Sequence, residues 1–178
     1  MIFFDITNNQ TIATPAYTTE VFLASDLDDI VNGGGAPPPP LNTDGRMTGG
    51  GSVFTSAGVR VTHGFELHCD VADVPNTLEI NWDNGNNFHL ETLTTAFCFD
   101  DPKIDSGHPR APFDTYVGTG TGKLNGVAGA TAAWTFTDAG EPGTSDTATI
   151  VIKVGNTTVL TVSGFITKGN QQAHTDNK

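Results

Sequence analysis

Basic residues are scarce: Lys and Arg number 8 against 20 Asp and Glu, a net charge of −12. Such a chain lacks the cationic footprint that displaces phosphate counterions, which excludes general nucleic-acid binding and disfavours an anionic membrane surface. Long apolar runs are missing as well. No stretch approaches the ~18 residues of a bilayer-spanning helix, so no membrane span is expected. Cysteine is limited to 2 residues with no CxxC spacing, which leaves no basis for a zinc ribbon or a thioredoxin-type dithiol. A nucleophile elbow of the GxSxG kind is absent. Gly118-Thr119-Gly120-Thr121-Gly122-Lys123 lacks the GK[ST] ending of a phosphate loop and reads as a Thr/Gly-rich strand. No catalytic constellation emerges, and the chain is not expected to be an enzyme.

What is present points to strands. The acids divide into 15 Asp, which favours turns, and only 5 Glu, the better helix former. Threonine, with its branched Cβ, occurs 27 times. With 21 Gly and 10 Pro, this is the composition of many short strands joined by tight turns. An all-β chain is expected, not a helical bundle or a doubly wound fold.

Along the chain, MIFFDITNNQ lacks the basic start and long apolar core of a secretory leader. Two apolar stretches follow one another in residues 1–32, and Ser25 is placed to cap a single helical turn towards Val31. Residues 33–45 contain GGGAPPPP, a linker composition. Beyond it, strand signals recur every eight to twelve residues. Val61, His63, Phe65, Leu67 and Cys69 share one parity; Leu78, Ile80 and Trp82 form the next row; Ala130, Ala132, Trp134 and Phe136 form another. Asn84-Gly85, Asn125-Gly126 and Gly155-Asn156 mark hairpin turns. Residues 46–174 are therefore expected to form an antiparallel β-sandwich of about nine strands, two sheets face to face. Residues 175–178 form a tail, and the polar stretch after Gly169 is expected to fray with it.

The phrases GRMTGGGSVF, GVRVTHGFELHCD, FHLETLT and above all FTDAGEPG resemble a module of the post-COAP-1 type, found near the C-termini of secreted bacterial proteins. The resemblance covers about residues 45–174. It implies an extracellular accessory β-domain, at the cell surface or beyond, without catalysis that carries over.

Cys69 and Cys98 both share parity with apolar rows, and a disulfide is expected in a chain of secreted character, with a buried thiol pair as the alternative. Asp138, Glu141 and Asp146 surround two glycines and a proline. Such a bent loop offers oxygens to Ca²⁺, although the spacing is not an EF-hand's and a solvated turn is the plainer reading. Asp100, Asp101 and Asp105 form a second acid cluster of the same kind. His68 with Glu66 and His89 with Glu91 occupy polar faces and would make a zinc site only if their strands were neighbours. His63, Trp82 and Trp134 read as core, whereas Tyr17 and Tyr116 are freer to meet a ligand.

The leading segment poses the sharpest question. Ile2, Phe3, Phe4, Ile6, Tyr17, Val21, Phe22 and Leu23 are costly in water, at about 1.5–3 kcal/mol for each large side chain that could be buried. The linker lets the segment add strands to its own sandwich or cross to a neighbouring copy, where it would complete that copy's sheet and build an open, head-to-tail filament. The function expected is an extracellular structural subunit that homo-oligomerises by strand donation. The alternative is a Ca²⁺-assisted module binding carbohydrate or a cell surface.

Overall fold

A computed structural model describes residues 2–5, 10–13, 41–104 and 111–175. Among them are eleven strands: β1 (Ile2–Asp5), β2 (Gln10–Ala13), β3 (Arg46–Phe54), β4 (Arg60–His68), β5 (Thr77–Trp82), β6 (Asn86–Phe99), β7 (Thr115–Leu124), β8 (Val127–Thr137), β9 (Thr147–Val154), β10 (Thr157–Phe165) and β11 (Lys168–His174). The chain divides into two compact units, Met1–Pro38 and Pro39–Lys178. In the first, β1 and β2 pair antiparallel, with Ile2 opposite Ala13 and Asp5 opposite Gln10.

The second unit is built from hairpins. Asn84-Gly85 and Asn125-Gly126 have φ values of 52° and 84°, and of 52° and 81°. Two consecutive positive φ angles define the turn whose twist matches that of the flanking strands. These turns join β5 to β6 and β7 to β8, and Gly155-Asn156 joins β9 to β10. All nine strands lie in one antiparallel sheet of order β10-β9-β8-β7-β6-β5-β4-β3-β11.

The fold is thus all-β and antiparallel, but its nine strands are continuous in one curled sheet where two facing sheets were expected. Two features produce the curl. First, β10 and β11 stand at opposite ends of the sheet yet are separated only by Ile166 and Thr167. They act as one bent strand that changes partner at the elbow: Ile166 N–H donates to Asp146 O at 2.9 Å, and Thr167 N–H to Ser52 O at 2.7 Å. Second, β3 carries Gly49, Gly50 and Gly51, where a Cβ would lie 2.4–2.6 Å from carbonyl oxygens of β11 or β4. Side chains there would hold the strands apart.

The inward face encloses one core to which all nine strands contribute, with Met47, Leu67, Ile80, Phe88, Trp134, Phe136, Ile150 and Val162 among its members. Alternate glycines in β7 admit the larger rings: a Cβ on Gly118 would meet Trp134 at 2.7 Å, and one on Gly122 would meet Phe88 at 2.8 Å. Cys69, just past β4, forms a disulfide with Cys98 of β6, Cα–Cα 5.7 Å, tying the two across β5. Residues 42–45, read from sequence as the end of the linker, are pinned beside it, since Asn42 N–H donates to Cys98 O at 2.7 Å and Gly45 O accepts from Cys69 N at 2.8 Å.

Candidate functional site

A curled sheet has two edges, and these are treated differently. On one side β11 pairs with β3. On the other it faces the loop Asp138–Asp146. Asp146 Oδ2 accepts the Gln171 N–H at 2.8 Å, and Asp138 Oδ2 accepts the Ala173 N–H at 2.9 Å. Residues 171 and 173 are the alternate positions whose amides point away from β3, so two carboxylates occupy the places of a neighbouring strand's carbonyls. Their second oxygens fold the loop itself: Asp146 Oδ1 accepts Ala139 N–H at 2.9 Å, and Asp138 Oδ1 accepts Gly140 N–H at 3.1 Å. Glu141 accepts from Asn170 Nδ2 at 2.9 Å and from the Gln172 side-chain amide. Burial raises the Asp146 carboxyl above the ordinary range; the two N–H donors pull it back, and the charges of Asp138 and Glu141 add to the rise. The amides of Asn170 and Gln172 hold Glu141 below that range. The three acids singled out in the sequence therefore do converge, on β11, and form a clasp along its outer edge.

The other edge carries no paired strand among the described residues, although β10 also touches β3. β10 runs Thr-Thr-Val-Leu-Thr-Val-Ser-Gly-Phe, nine residues with neither a charge nor a proline. The Ile166 N–H to Asp146 O bond fixes the alternation of its ladder with β9. Residues 160, 162 and 164 turn their main-chain groups to β9, and Thr161 and Ser163 turn theirs away. No strand among the described residues pairs with that side. Val159 and Phe165 are exposed along it, and Phe54, ending β3, is exposed as well. Natural sheets blunt such edges with charge, proline or cover; here the one irregularity is a register shift between Thr158 and Leu160.

Polar groups inside the roll support the clasp from within. Gln171, fully buried, places its amide Nε2 3.1 Å from His63 Nε2. The His63 ring stacks on Phe136, with centroids 5.1 Å apart. Burial lowers His63 to about 4, so it stays a neutral core imidazole at pH 7. Asp114, also fully buried, accepts from Asp101 N at 2.9 Å and Thr115 Oγ1 at 2.7 Å. Burial pushes its carboxyl up to about 6, those hydrogen bonds opposing the rise and the nearby Asp100 charge adding to it.

The remaining sites fall as follows. Tyr116, expected to be free for a ligand, is buried, and its hydroxyl donates to His68 O at 2.8 Å. His68 is buried too, and not on a wet face. It could not join His89 in any case, because β5 lies between β4 and β6; His89 instead stands opposite Glu79. Among the described residues no group of three or more His, Cys, Asp or Glu is arranged to hold a metal. Trp134 is core, and Trp82 packs partly buried against it. The stretch after Gly169, expected to fray, is strand β11. Ile2, Phe3 and Phe4 lie in β1. Ile6, Tyr17, Val21, Phe22, Leu23, the turn at 25–31, the GGGAPPPP stretch and Asp105 lie outside the described residues. Sequence reasoning missed Gln171; the only signal for it was the spacing of Gln171 and Ala173, two apart.

Compared with known proteins, the chain matches no family model, no curated protein and no solved structure.

Proposed function

We propose that this chain is an extracellular structural subunit that assembles head to tail, the N-terminal segment of one copy adding as a strand to the β10 edge of the next. The observation that carries the reading is the inequality of the two edges. The β11 edge is closed by Asp138 and Asp146, whereas β10 offers nine uncharged residues with outward main-chain groups at Thr161 and Ser163. In a chain of net charge −12, a neutral edge is where two copies approach with least repulsion. The donor has matching character: Ile2–Asp5 and Gln10–Ala13 carry one charge between them and already adopt strand conformation. Strand addition draws affinity from main-chain hydrogen bonds and specificity from alternate side chains. Because donor and acceptor are different surfaces, the contact is heterologous and need not close. An extracellular setting accords with the disulfide and with the resemblance to secreted modules.

Size-exclusion chromatography with negative-stain imaging tests it. The full chain should form polymers, and removal of residues 1–31 should leave a monomer, since the core of the nine-stranded sheet is built from residues of the second unit among those described. Thr161→Pro, which deletes an outward N–H, should block the acceptor. A full chain that stays monomeric, or a truncated one that polymerises equally well, would end the proposal. The second reading, a Ca²⁺-assisted binding module for carbohydrate or a cell surface, rests on the acidity of the Asp138–Asp146 loop and on the resemblance to secreted modules, although the loop's carboxylates are engaged by amides. It requires the melting temperature to rise in millimolar Ca²⁺ and to fall back with chelator.

A further inference from the structure

One row of the sheet's outer face runs Asn170, Gly50, Gly64, Glu79, His89, Lys123, each residue registered opposite the next across β11, β3, β4, β5, β6 and β7. The two glycines leave a gap in it. At Gly50 the fold requires this, because a Cβ would lie 2.6 Å from His63 O. At Gly64 it does not. The backbone there has no positive φ, and a Cβ would meet nothing within 4 Å. A strand-interior glycine weakens its strand and often marks a bulge, a tight bend, or the close approach of a ligand or another backbone.

Above Gly64 lies an open trough of about 560 Å³ whose polar lining is Thr62, Thr77, Glu79, Asn81 and His89, with Leu78 and Leu90 beside them. Its walls are pre-organised: Asn81 Nδ2 donates to Glu79 Oε1 at 2.9 Å, and Glu79 Oε2 stands 4.0 Å from His89 Nδ1. We infer that this trough binds a neutral sugar unit. The walls supply one carboxylate acceptor and four groups that both donate and accept, a set that suits vicinal hydroxyls. An apolar ligand would strip those groups of water without replacement. An anion would face Glu79 and a chain of net charge −12. A cation would find a single carboxylate already held by Asn81 and His89. The lining offers no aromatic carbocycle for a pyranose to stack on, so affinity for a single sugar is weak, on the order of millimolar.

Saturation-transfer difference NMR reads such binding from the ligand's own protons, so the full chain serves whether or not it polymerises. The probes are the methyl glycosides of glucose, galactose, mannose and N-acetylglucosamine, with N-acetylarginine amide as the cationic comparator. At least one glycoside should receive saturation from the native chain. Gly64→Gln, which fills the trough, should abolish the signal, and Glu79→Gln should weaken binding about tenfold, the loss of one charged hydrogen bond. Circular dichroism confirms folding of the variants; should Gly64→Gln fail to fold, Glu79→Gln carries the test alone. Saturation of no glycoside, of the arginine probe alone, or of a glycoside equally in folded variants overturns the inference.

Discussion

Asp146 and Gln171, 25 residues apart, share a hydrogen bond of 2.8 Å that joins a loop carboxylate to the last strand's outer edge. Gln171 in turn carries its side chain inward to His63. One residue thus links the clasp outside to the core inside.

Breaking that link should open the roll at one seam. Asp146→Ala leaves the Gln171 and Ala139 amides without their acceptor, at about 1–3 kcal/mol for each group left buried and unpaired. Asp138→Ala should act in the same direction through Ala173 and Gly140. Chemical denaturation gives the energy, and hydrogen exchange locates it. Amides 171 and 173 should exchange faster than the rest of the sheet before global unfolding. Protection unchanged at those two amides would mean that the carboxylates do not hold the edge.

Two buried groups pull the pH profile in opposite directions. His63 is held at about 4 against 6.5 in the unfolded chain, so between those values the unfolded chain binds the extra proton and stability falls as pH is lowered. Asp114 sits at about 6 against 3.8; there the folded chain keeps the proton and stability falls as pH rises through that window. Asp114→Asn removes only the second effect. The melting temperature of the variant, minus that of the native chain, should therefore climb between pH 4 and pH 6 and level off above. The acid side of the variant should then show the His63 loss, about 3 kcal/mol when complete, together with the opposing contribution of the raised Asp146 carboxyl and the acid-side loss from the lowered Glu141. A flat difference curve refutes the assignment for Asp114.

The Cys69–Cys98 bridge closes a loop with a sequence separation of 29. Chain entropy for a loop of that size corresponds to about 3–4 kcal/mol. Reduction should lower the denaturation midpoint accordingly, and Cys69→Ala with Cys98→Ala should reproduce the loss without reductant. A midpoint insensitive to reductant would leave the bridge energetically silent.

Two glycine-to-alanine changes should differ in sign. At Gly118 the new methyl would press on the Trp134 ring at 2.7 Å, overpacking that costs about 1–3 kcal/mol. At Gly64 the methyl enters open space, and the stiffer backbone should be neutral or stabilising by about 0.5–1 kcal/mol. Parallel denaturation curves decide it; equal destabilisation by both would show that Gly64 is required by the fold.

The sequence made some of this plain and hid the rest for physical reasons. Asn84-Gly85 and Asn125-Gly126 announce hairpins because few other pairs tolerate two positive φ angles. The rows Val61 to Leu67 and Ala130 to Phe136 declare their buried faces by parity alone. Parity cannot say whether two buried faces belong to one sheet or two, since a curled sheet and a sandwich bury the same alternation. Nor does it find β11. Asn-Gln-Gln-Ala-His has no apolar period because Gln171 turns inward and sets its Nε2 against His63, a partner 108 residues away. Tyr116 and His68 were misplaced for a like cause: each is polar, and the bond between them is visible only once the sheet curls and brings the Tyr116 hydroxyl to the end of β4. The acidic loop reads as a metal site or a solvated turn, because sequence lists carboxylates without showing which amides face them.

The order of the strands has a consequence for synthesis. Thr48 in the roll's first strand bonds His174 in its last, across 126 residues, so β3 leaves the ribosome long before its outer neighbour exists. The hairpins of the other strands can pair as they emerge, whereas the β11–β3 pairing waits for the final strand, a non-local event of the slow kind. Until that moment the nascent chain presents a bare ladder on β3, a hazard during biogenesis that a chaperone would shorten.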